Sequence, residues 1–222
     1  MIAALVPAAG RSRRMGVPKC LLPFGGTTVI GHIVAELQRS RVAEVCVIAG
    51  HQADRLRQAL AGRPIRIVEN PDYERTDMLA SIRCGLAAVP ETCRAVLVAL
   101  GDQPAITAEW VDAMLDAFAT CGRGIVVPLH AGRRGHPLLF AARYRNEILT
   151  AYEQCGLCGL LAAHSDDVFE LPAPNLAVLC DMDYPEDYWR ELARPGEHPN
   201  LSPSPPTNLR SVPGEGQGVR GP

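Results

Sequence analysis

The chain has 222 residues, of which 47% are hydrophobic and 21% charged, which suits one α/β domain and excludes a disordered chain. The formal net charge is −2, so nothing global indicates nucleic-acid binding, and any phosphate site requires a local cluster of cations. The apolar N-terminus is too short for a signal peptide and lacks a basic start. We therefore expect a cytoplasmic protein that contacts neither nucleic acid nor membrane.

In chain order, apolar runs alternate with segments of helical periodicity. This alternation predicts an α/β fold, a single Rossmann-like three-layer domain with a mostly parallel sheet. The later elements are less regular and predict an antiparallel addition, so the sheet should be mixed. The predicted strands cover residues 2–6, 44–49, 65–68, 95–100, 125–128, 137–140, 168–171 and 177–179, and the predicted helices cover 28–39, 54–60, 78–89, 107–120, 143–150 and 186–192.

The composition changes near the C-terminus. Residues 194–222 are rich in Pro, Gly and Ser and hold few apolar side chains, so they cannot bury enough surface to offset the entropy of ordering. We predict a domain over residues 1–193 and a disordered tail over 194–222.

Two of the eight cysteines, Cys155 and Cys158, form a lone C-x-x-C. No second pair or histidine lies at zinc-ligand spacing, and the segment predicts a helical turn, so a structural role is favoured while a redox role stays open. The other six are expected to act as small hydrophobic side chains. These are Cys20, Cys46, Cys84, Cys93, Cys121 and Cys180.

The loop after the first strand, residues 7–19, combines small residues with four cations. Gly10 and Gly16 tolerate positive φ, and exposed N–H groups in such a loop form an anion-binding concavity. Lys19 is the one lysine among 22 basic residues, and its compact charge suits phosphate. This loop contains neither a Walker A motif nor a G-x-G-x-x-G fingerprint. A solvated arginine-rich loop remains the alternative.

Two later segments of the chain contain candidate metal-binding aspartates. Asp102 ends a buried strand, where a carboxylate points into the ligand crevice of an α/β sheet and provides the hard oxygen that Mg²⁺ prefers. Alternation in an extended segment would place Asp181 and Asp183 on one face. The alternatives are an Asp that begins a turn and acidic groups that stabilise a helix start.

Several separated motifs together resemble one family. The loop P-A-A-G-x-S-x-R-M-G-x-P-K, the helix M-L-A-S-I-R, the G-D-Q-P turn, R-G-H-P and D-M-D-Y-P-E-D follow the order of the MobA-like nucleotidyltransferases. The resemblance covers residues 2 to about 189 and is greatest to the molybdenum cofactor cytidylyltransferases. It implies a fold of the nucleotide-diphospho-sugar transferase type and transfer of cytidylyl from CTP to a phosphorylated pterin, with Mg²⁺.

The resemblance also implies roles for individual residues. Catalytic roles fall on Lys19, Arg14 and Asp102. Nucleotide contacts fall on Ala8, Ala9, Gly10, Arg11, Ser81 and Gly101. His136 would lie near the acceptor, and Asp102 with Asp183 would hold the metal. Asp77 and Tyr184 depart from the family pattern, which has small residues and Thr at these places.

Other functions remain open at this point. Guanylyl transfer to the same acceptor, or nucleotidyl transfer to a sugar or polyol phosphate, would use the same loop and metal site. A non-catalytic alternative is a nucleotide-binding carrier or chaperone that delivers the finished cofactor. A molybdoenzyme or its chaperone is a further expected partner.

Overall fold

The computed structural model describes residues 1–75 and 77–194, so residues 195–222 of the predicted tail lie outside the described residues. The described strands are β1 (Ile2–Ala8), β2 (Pro23–Phe24), β3 (Thr27–Thr28), β4 (Glu44–Ala49), β5 (Arg66–Glu69), β6 (Ala95–Val98), β7 (Ile125–His130), β8 (Arg133–Arg134), β9 (Leu138–Ala141) and β10 (Val168–Pro172). The described α-helices are α1 (Val29–Arg39), α2 (Ala53–Ala59), α3 (Met78–Ala88), α4 (Ala108–Thr120), α5 (Arg145–Thr150), α6 (Leu157–Ala163) and α7 (Pro185–Leu192).

The main sheet has the order β10-β7-β9-β6-β1-β4-β5, and β8 pairs with β7. Strand β1 is parallel to both neighbours, and Leu5 lies opposite Cys46 of β4 and Val98 of β6. Strand β9 is antiparallel to β6 and β7, whereas β10 is parallel to β7. The predicted mixed, mostly parallel sheet is confirmed, and the longer of its two antiparallel strands, β9, lies inside the sheet.

Helices cover both faces of this sheet. Ala4 and Val6 of β1 belong to the core that also contains side chains of α1, α2, α4 and α7. The alternate side chains Ala3 and Leu5 pack with α3, α5 and α6. Because successive side chains of a strand point to opposite faces, one central strand contributes to two cores. The predicted three-layer architecture is confirmed.

Two predictions after residue 150 need correction. The predicted strand over 177–179 is wrong, because Leu176–Leu179 form a 3-10 helix. The Asn175 side chain accepts a hydrogen bond of 2.9 Å from the Ala177 N–H, which starts a turn instead of a ladder. The helical turn predicted around Cys155 and Cys158 extends into the seven-residue helix α6, whose leucines at 157, 160 and 161 are buried at helical spacing.

All eight cysteines are free thiols in the described structure. Cys20, Cys46 and Cys93 are buried, as expected of small hydrophobic side chains, whereas Cys155 and Cys158 are exposed. Burial raises the pKa of the Cys20 and Cys46 thiols to about 11, so these two groups stay protonated at neutral pH. Among the helices described, none is long and apolar enough to cross a membrane.

Threonine side chains cap two of the helices that cover the sheet. The Thr28 hydroxyl accepts a 3.1 Å hydrogen bond from the Gly31 N–H at the start of α1, and the Thr107 hydroxyl accepts one of 3.2 Å from the Trp110 N–H at the start of α4. Each bond satisfies an N–H group that has no partner within its helix.

We expect Thr107→Val to lower the free energy of unfolding by about 1 kcal/mol, because valine keeps the side-chain shape but cannot accept the Trp110 N–H. Thr107→Ser keeps the acceptor and should change stability by less than about half that amount. Urea denaturation of both variants measures the difference. A loss in Thr107→Val that is no larger than the loss in Thr107→Ser would contradict the contribution of the cap.

Candidate functional site

The site lies where β1 and β6 end side by side. The backbone after β6 lies close to the end of β1, and the Gly101 N–H donates to the Pro7 carbonyl over 3.3 Å. A Cβ on Gly101 would lie 2.8 Å from the same oxygen, so no side chain fits at this position without a shift. On the other side, a Cβ on Gly50 would lie 2.6 Å from the Ala9 Cβ. Small residues therefore let the loop after β1 pack between the ends of its neighbouring strands.

Ser12 organises the cationic loop. It has a positive φ of 49°, and its carbonyl accepts hydrogen bonds from Met15 and Gly16 over 3.0 and 3.2 Å. Its hydroxyl accepts a 3.1 Å hydrogen bond from the Lys19 N–H. Ser12 thereby fixes the backbone from which the Lys19 side chain extends. The sequence prediction did not single it out, because no residue pattern announces a non-glycine residue at positive φ.

Lys19 links the two predicted metal-binding carboxylates. Its Nζ lies 2.5 Å from Asp102 Oδ2 and 3.0 Å from Asp183 Oδ1. Arg14 Nη1 contacts the other oxygen of Asp183. The Met182 N–H donates to the Asp102 carbonyl over 3.1 Å, which ties the two acidic segments together. Four residues that the family resemblance selected are thus in one contact network.

The two carboxylates have opposite pKa shifts. Burial raises the pKa of Asp102, although the neighbouring Lys19 ammonium opposes this effect. The hydrogen bond from Lys19, together with Arg14, lowers the pKa of Asp183. Burial alone would lower the pKa of Lys19, but Asp102 and Asp183 raise it, so the ammonium stays charged. The site therefore keeps a positive charge next to a partly buried carboxylate.

A cavity of about 320 Å³ opens beside Lys19 and Asp102. This volume lies in the range of small-molecule sites. Seven of the predicted site residues line it, namely Ala8, Ala9, Gly10, Lys19, Ser81, Gly101 and Asp102. Lys19, which contacts Asp102, and Asp181 contribute charge to the lining, and Tyr73, Met78 and Ser81 also line the cavity. The cavity thus combines ionic groups with aromatic and apolar ones.

Ser81 lies at the buried wall of the cavity. Its side chain is buried, and its hydroxyl accepts a 3.1 Å hydrogen bond from the Asn70 amide. Asn70 Oδ1 in turn accepts from the Asp72 N–H over 3.1 Å, which gives the turn predicted at Asn70-Pro71-Asp72. The hydroxyl hydrogen of Ser81 is still available for a bound molecule or another acceptor.

Four of the predicted site residues do not line the cavity: Asp183, which contacts Lys19, and Arg11, Arg14 and His136. Arg11 forms an exposed ion pair with Glu74 at 3.4 Å. Arg14 is 60% exposed and contacts the cavity network only through Asp183. His136 donates its backbone N–H to Val178 over 2.9 Å, and burial lowers the pKa of its imidazole. Its Nδ1 is buried without a hydrogen-bond partner among the described residues.

The cavity also contains residues that the sequence prediction did not assign to the site. Asp181 lines the cavity, and its charge opposes the pKa depression of His136. Asp77 lines the cavity and accepts the Ala80 N–H over 3.2 Å as the cap of α3. Alternation in the D-M-D segment indicated that Asp181 and Asp183 share a face, which was the available signal for Asp181. Nothing in the sequence distinguished Tyr73 from an ordinary loop residue.

No group of three or more His, Cys, Asp or Glu side chains suited to a metal ion occurs in the part of the chain that the structure describes. The candidate metal ligands are therefore the pair Asp102 and Asp183, held through Lys19. This donor set is small but consists of hard carboxylate oxygens. It fits Mg²⁺, which binds to one or two carboxylates and completes its shell with water and substrate phosphate oxygens.

Residues 4–168 match the family model described as the MobA-like NTP transferase domain. A molybdenum cofactor cytidylyltransferase of Escherichia coli (strain K12) is 26% identical over 190 residues, which cover 84% of this chain and 93% of that protein. A protein of Bacillus cereus (strain Q1) named probable molybdenum cofactor guanylyltransferase is 32% identical over 148 residues, covering 66% of this chain and 69% of the relative.

The backbone is also similar to solved structures. The Rv0371c protein of Mycobacterium tuberculosis H37Rv, in a crystal structure of its complex with manganese, superposes with a TM-score of 0.73 at 28% identity. The match covers 86% of this chain and 97% of that one. A nucleotidyl transferase from Methanothermobacter gives a TM-score of 0.75 at 27% identity. The predicted nucleotidyltransferase type of fold is confirmed.

The ion pair makes a testable contribution to stability. Lys19→Met keeps the side-chain length but leaves Asp102 partly buried without its cation. Burial gives Asp102 a higher pKa in the folded than in the unfolded protein. Its ionised carboxylate therefore destabilises the fold at pH values above the unfolded-state pKa of about 3.9. We expect a loss of about 1–3 kcal/mol at pH 8 that shrinks as the pH falls towards 4.

Asp183 changes the stability loss of Lys19→Met in the same direction. Its lowered pKa stabilises the wild type at pH 8, acid removes this stabilisation, and Lys19→Met lacks the part that Lys19 provides. Urea unfolding at both pH values measures the effect. The double variant Lys19→Met/Asp102→Asn is the control and should recover part of the stability at pH 8. An identical loss at pH 4 and pH 8 would show that Lys19 contributes by packing alone.

Proposed function

The chain belongs to the MobA-like NTP transferase family and is a nucleotidyltransferase, and we propose that it transfers cytidylyl from CTP to the terminal phosphate of a molybdopterin-type acceptor. The observation that carries this proposal is the position of Lys19. Lys19 lines a nucleoside-sized cavity, and its ammonium lies between two carboxylates. Cation, carboxylates and cavity are the three parts that nucleotidyl transfer requires.

The cavity supports one orientation of the nucleotide. Triphosphate oxygens would lie near Lys19 and the N–H groups around Ala9 and Gly10. The base and ribose would extend along Tyr73, Met78 and Ser81, where an aromatic ring and a thioether offer apolar contact. Arg14 would add a second positive charge from the rim.

Divalent metal fits the donor set beside Lys19. Asp102 and Asp183 would hold it. The manganese complex of the Mycobacterium tuberculosis relative supports a divalent ion in this family. We propose Mg²⁺ as the physiological ion. When bound, such an ion neutralises phosphate charge as a Lewis acid. Lys19 would then exchange a carboxylate partner for a phosphate oxygen.

The side chains position charge rather than transfer protons. An oxygen of the acceptor phosphate would form the new bond to the α-phosphorus, while the bond from that phosphorus to the leaving oxygen breaks and pyrophosphate departs. The attacking phosphate is already ionised at neutral pH, so no protein base is needed. Lys19 and Arg14 would stabilise the charge that grows on the leaving pyrophosphate.

The rate of pyrophosphate release with different nucleotides distinguishes this proposal from its alternatives. With purified protein, Mg²⁺ and molybdopterin, we expect pyrophosphate release with CTP to be about tenfold or more faster than with GTP, ATP or UTP. Preference for GTP would favour the guanylyl reaction named for the Bacillus cereus relative. Tight CTP binding without release for any acceptor, including sugar and polyol phosphates, would favour a non-catalytic carrier.

The metal assignment has its own test. Asp102→Asn should lower turnover by about 100-fold or more, because an amide cannot replace a carboxylate as a metal ligand. The fold should persist, since asparagine has the same shape and removes a partly buried charge. Asp54→Asn is a matched control, because Asp54 lies on the surface of α2 and is paired only with Arg57. Turnover of Asp102→Asn within about twofold of the control would contradict the metal role.

A further inference from the structure

Tyr184 is a large aromatic residue left exposed beside the site. Tyr184 follows the metal-ligand candidate Asp183 in the sequence, and it is 53% exposed. Few large hydrophobic residues in the described structure are exposed to this extent, the others being Met1, Met78 and Leu176. A tyrosine ring in this position has an apolar face on which a planar ligand can stack.

The position of the Tyr184 backbone is fixed. Asp187 Oδ2 accepts hydrogen bonds from the N–H groups of Asp183 and Tyr184 over 3.1 and 2.9 Å. Pro185 begins α7 immediately afterwards, and proline is favourable at that position. The exposed ring is therefore presented from an ordered helix start rather than from a free chain end.

The ring is coupled to the charged network. The Arg14 guanidinium carbon lies 5.8 Å from the centre of the Tyr184 ring, within the range of a cation–π contact. Arg14 also contacts Asp183, which Lys19 binds. None of Arg14, Asp183 and Tyr184 lines the cavity, whereas Lys19 does. The ring thus borders the phosphate-binding charges from outside the proposed nucleotide pocket.

We propose that Tyr184 is a stacking surface for the planar ring system of the acceptor. This inference rests on the proposed function. A nucleoside that fills the cavity leaves the second substrate to reach the α-phosphate from outside. There it meets the open part of the Tyr184 ring, with Arg14 and Lys19 available for its phosphate.

A binding measurement tests the inference independently of turnover. The probe is a fluorescent pterin monophosphate, titrated into the full chain with Mg²⁺ and a non-hydrolysable CTP analogue. Tyr184→Leu removes the aromatic face but keeps apolar bulk, and Tyr184→Phe keeps the face but removes the hydroxyl. Glycerol 3-phosphate, measured by calorimetry, is the non-aromatic control. Thermal melting confirms that each variant is folded.

We expect Tyr184→Leu to weaken pterin phosphate binding about tenfold, in line with base–aromatic stacking, while Tyr184→Phe binds within about twofold of the wild type. Binding of the CTP analogue and of glycerol 3-phosphate should not change in either variant. Wild-type affinity of Tyr184→Leu for the pterin phosphate overturns the inference, as does a failure of the wild type to bind it.

Turnover with CTP distinguishes the two levels of the account. Pyrophosphate release by the wild type together with unchanged pterin binding in Tyr184→Leu overturns the stacking role alone. Weaker pterin binding in Tyr184→Leu, without pyrophosphate release by the wild type, supports the stacking role and contradicts the proposed function. In an active enzyme, the stacking role also requires Tyr184→Leu to raise KM for the pterin acceptor while KM for CTP stays constant.

Discussion

The site depends on one cation held between two carboxylates. Lys19 is the only lysine in the chain, and its ammonium contacts both Asp102 and Asp183. Without a cation between them, the carboxylates of Asp102 and Asp183 would repel each other. The partly buried charge of Asp102 would then also lower the stability of the fold. Lys19 supplies that positive charge. Asp102 and Asp183 would also hold a divalent ion, and Lys19 would then contact the triphosphate.

The architecture places these groups together without long excursions of the chain. β1 and β6 are parallel neighbours, so the loop that carries Lys19 and the turn that carries Asp102 leave the sheet at the same edge. The Met182 N–H bonds to the Asp102 carbonyl and brings the third segment to that edge. Small residues at the crossing are required because Gly101 lies against the Pro7 carbonyl. The sheet topology therefore determines which side chains can meet, and the loops determine their chemistry.

Local patterns predicted most of the fold. The strand predicted over residues 44–49 and the helices predicted over 28–39 and 107–120 agree with β4, α1 and α4, because apolar periodicity acts within a few residues. The insertion of β9 between β6 and β7 depends on pairing between distant segments, which no local pattern encodes. For the site, motif order indicated Lys19, Asp102 and Asp183, and alternation in the D-M-D segment gave a signal for Asp181, but the lining role of Tyr73 arises only from tertiary packing.

The most direct test of this account is a crystal structure of the protein with Mn²⁺ and a non-hydrolysable CTP analogue, with the metal located by its anomalous scattering. We expect the metal to be bound by Asp102 and Asp183, and Lys19 Nζ to contact a phosphate oxygen instead of at least one of these carboxylates. A triphosphate bound elsewhere, with the Lys19 contacts to both carboxylates unchanged and no metal between them, would contradict it.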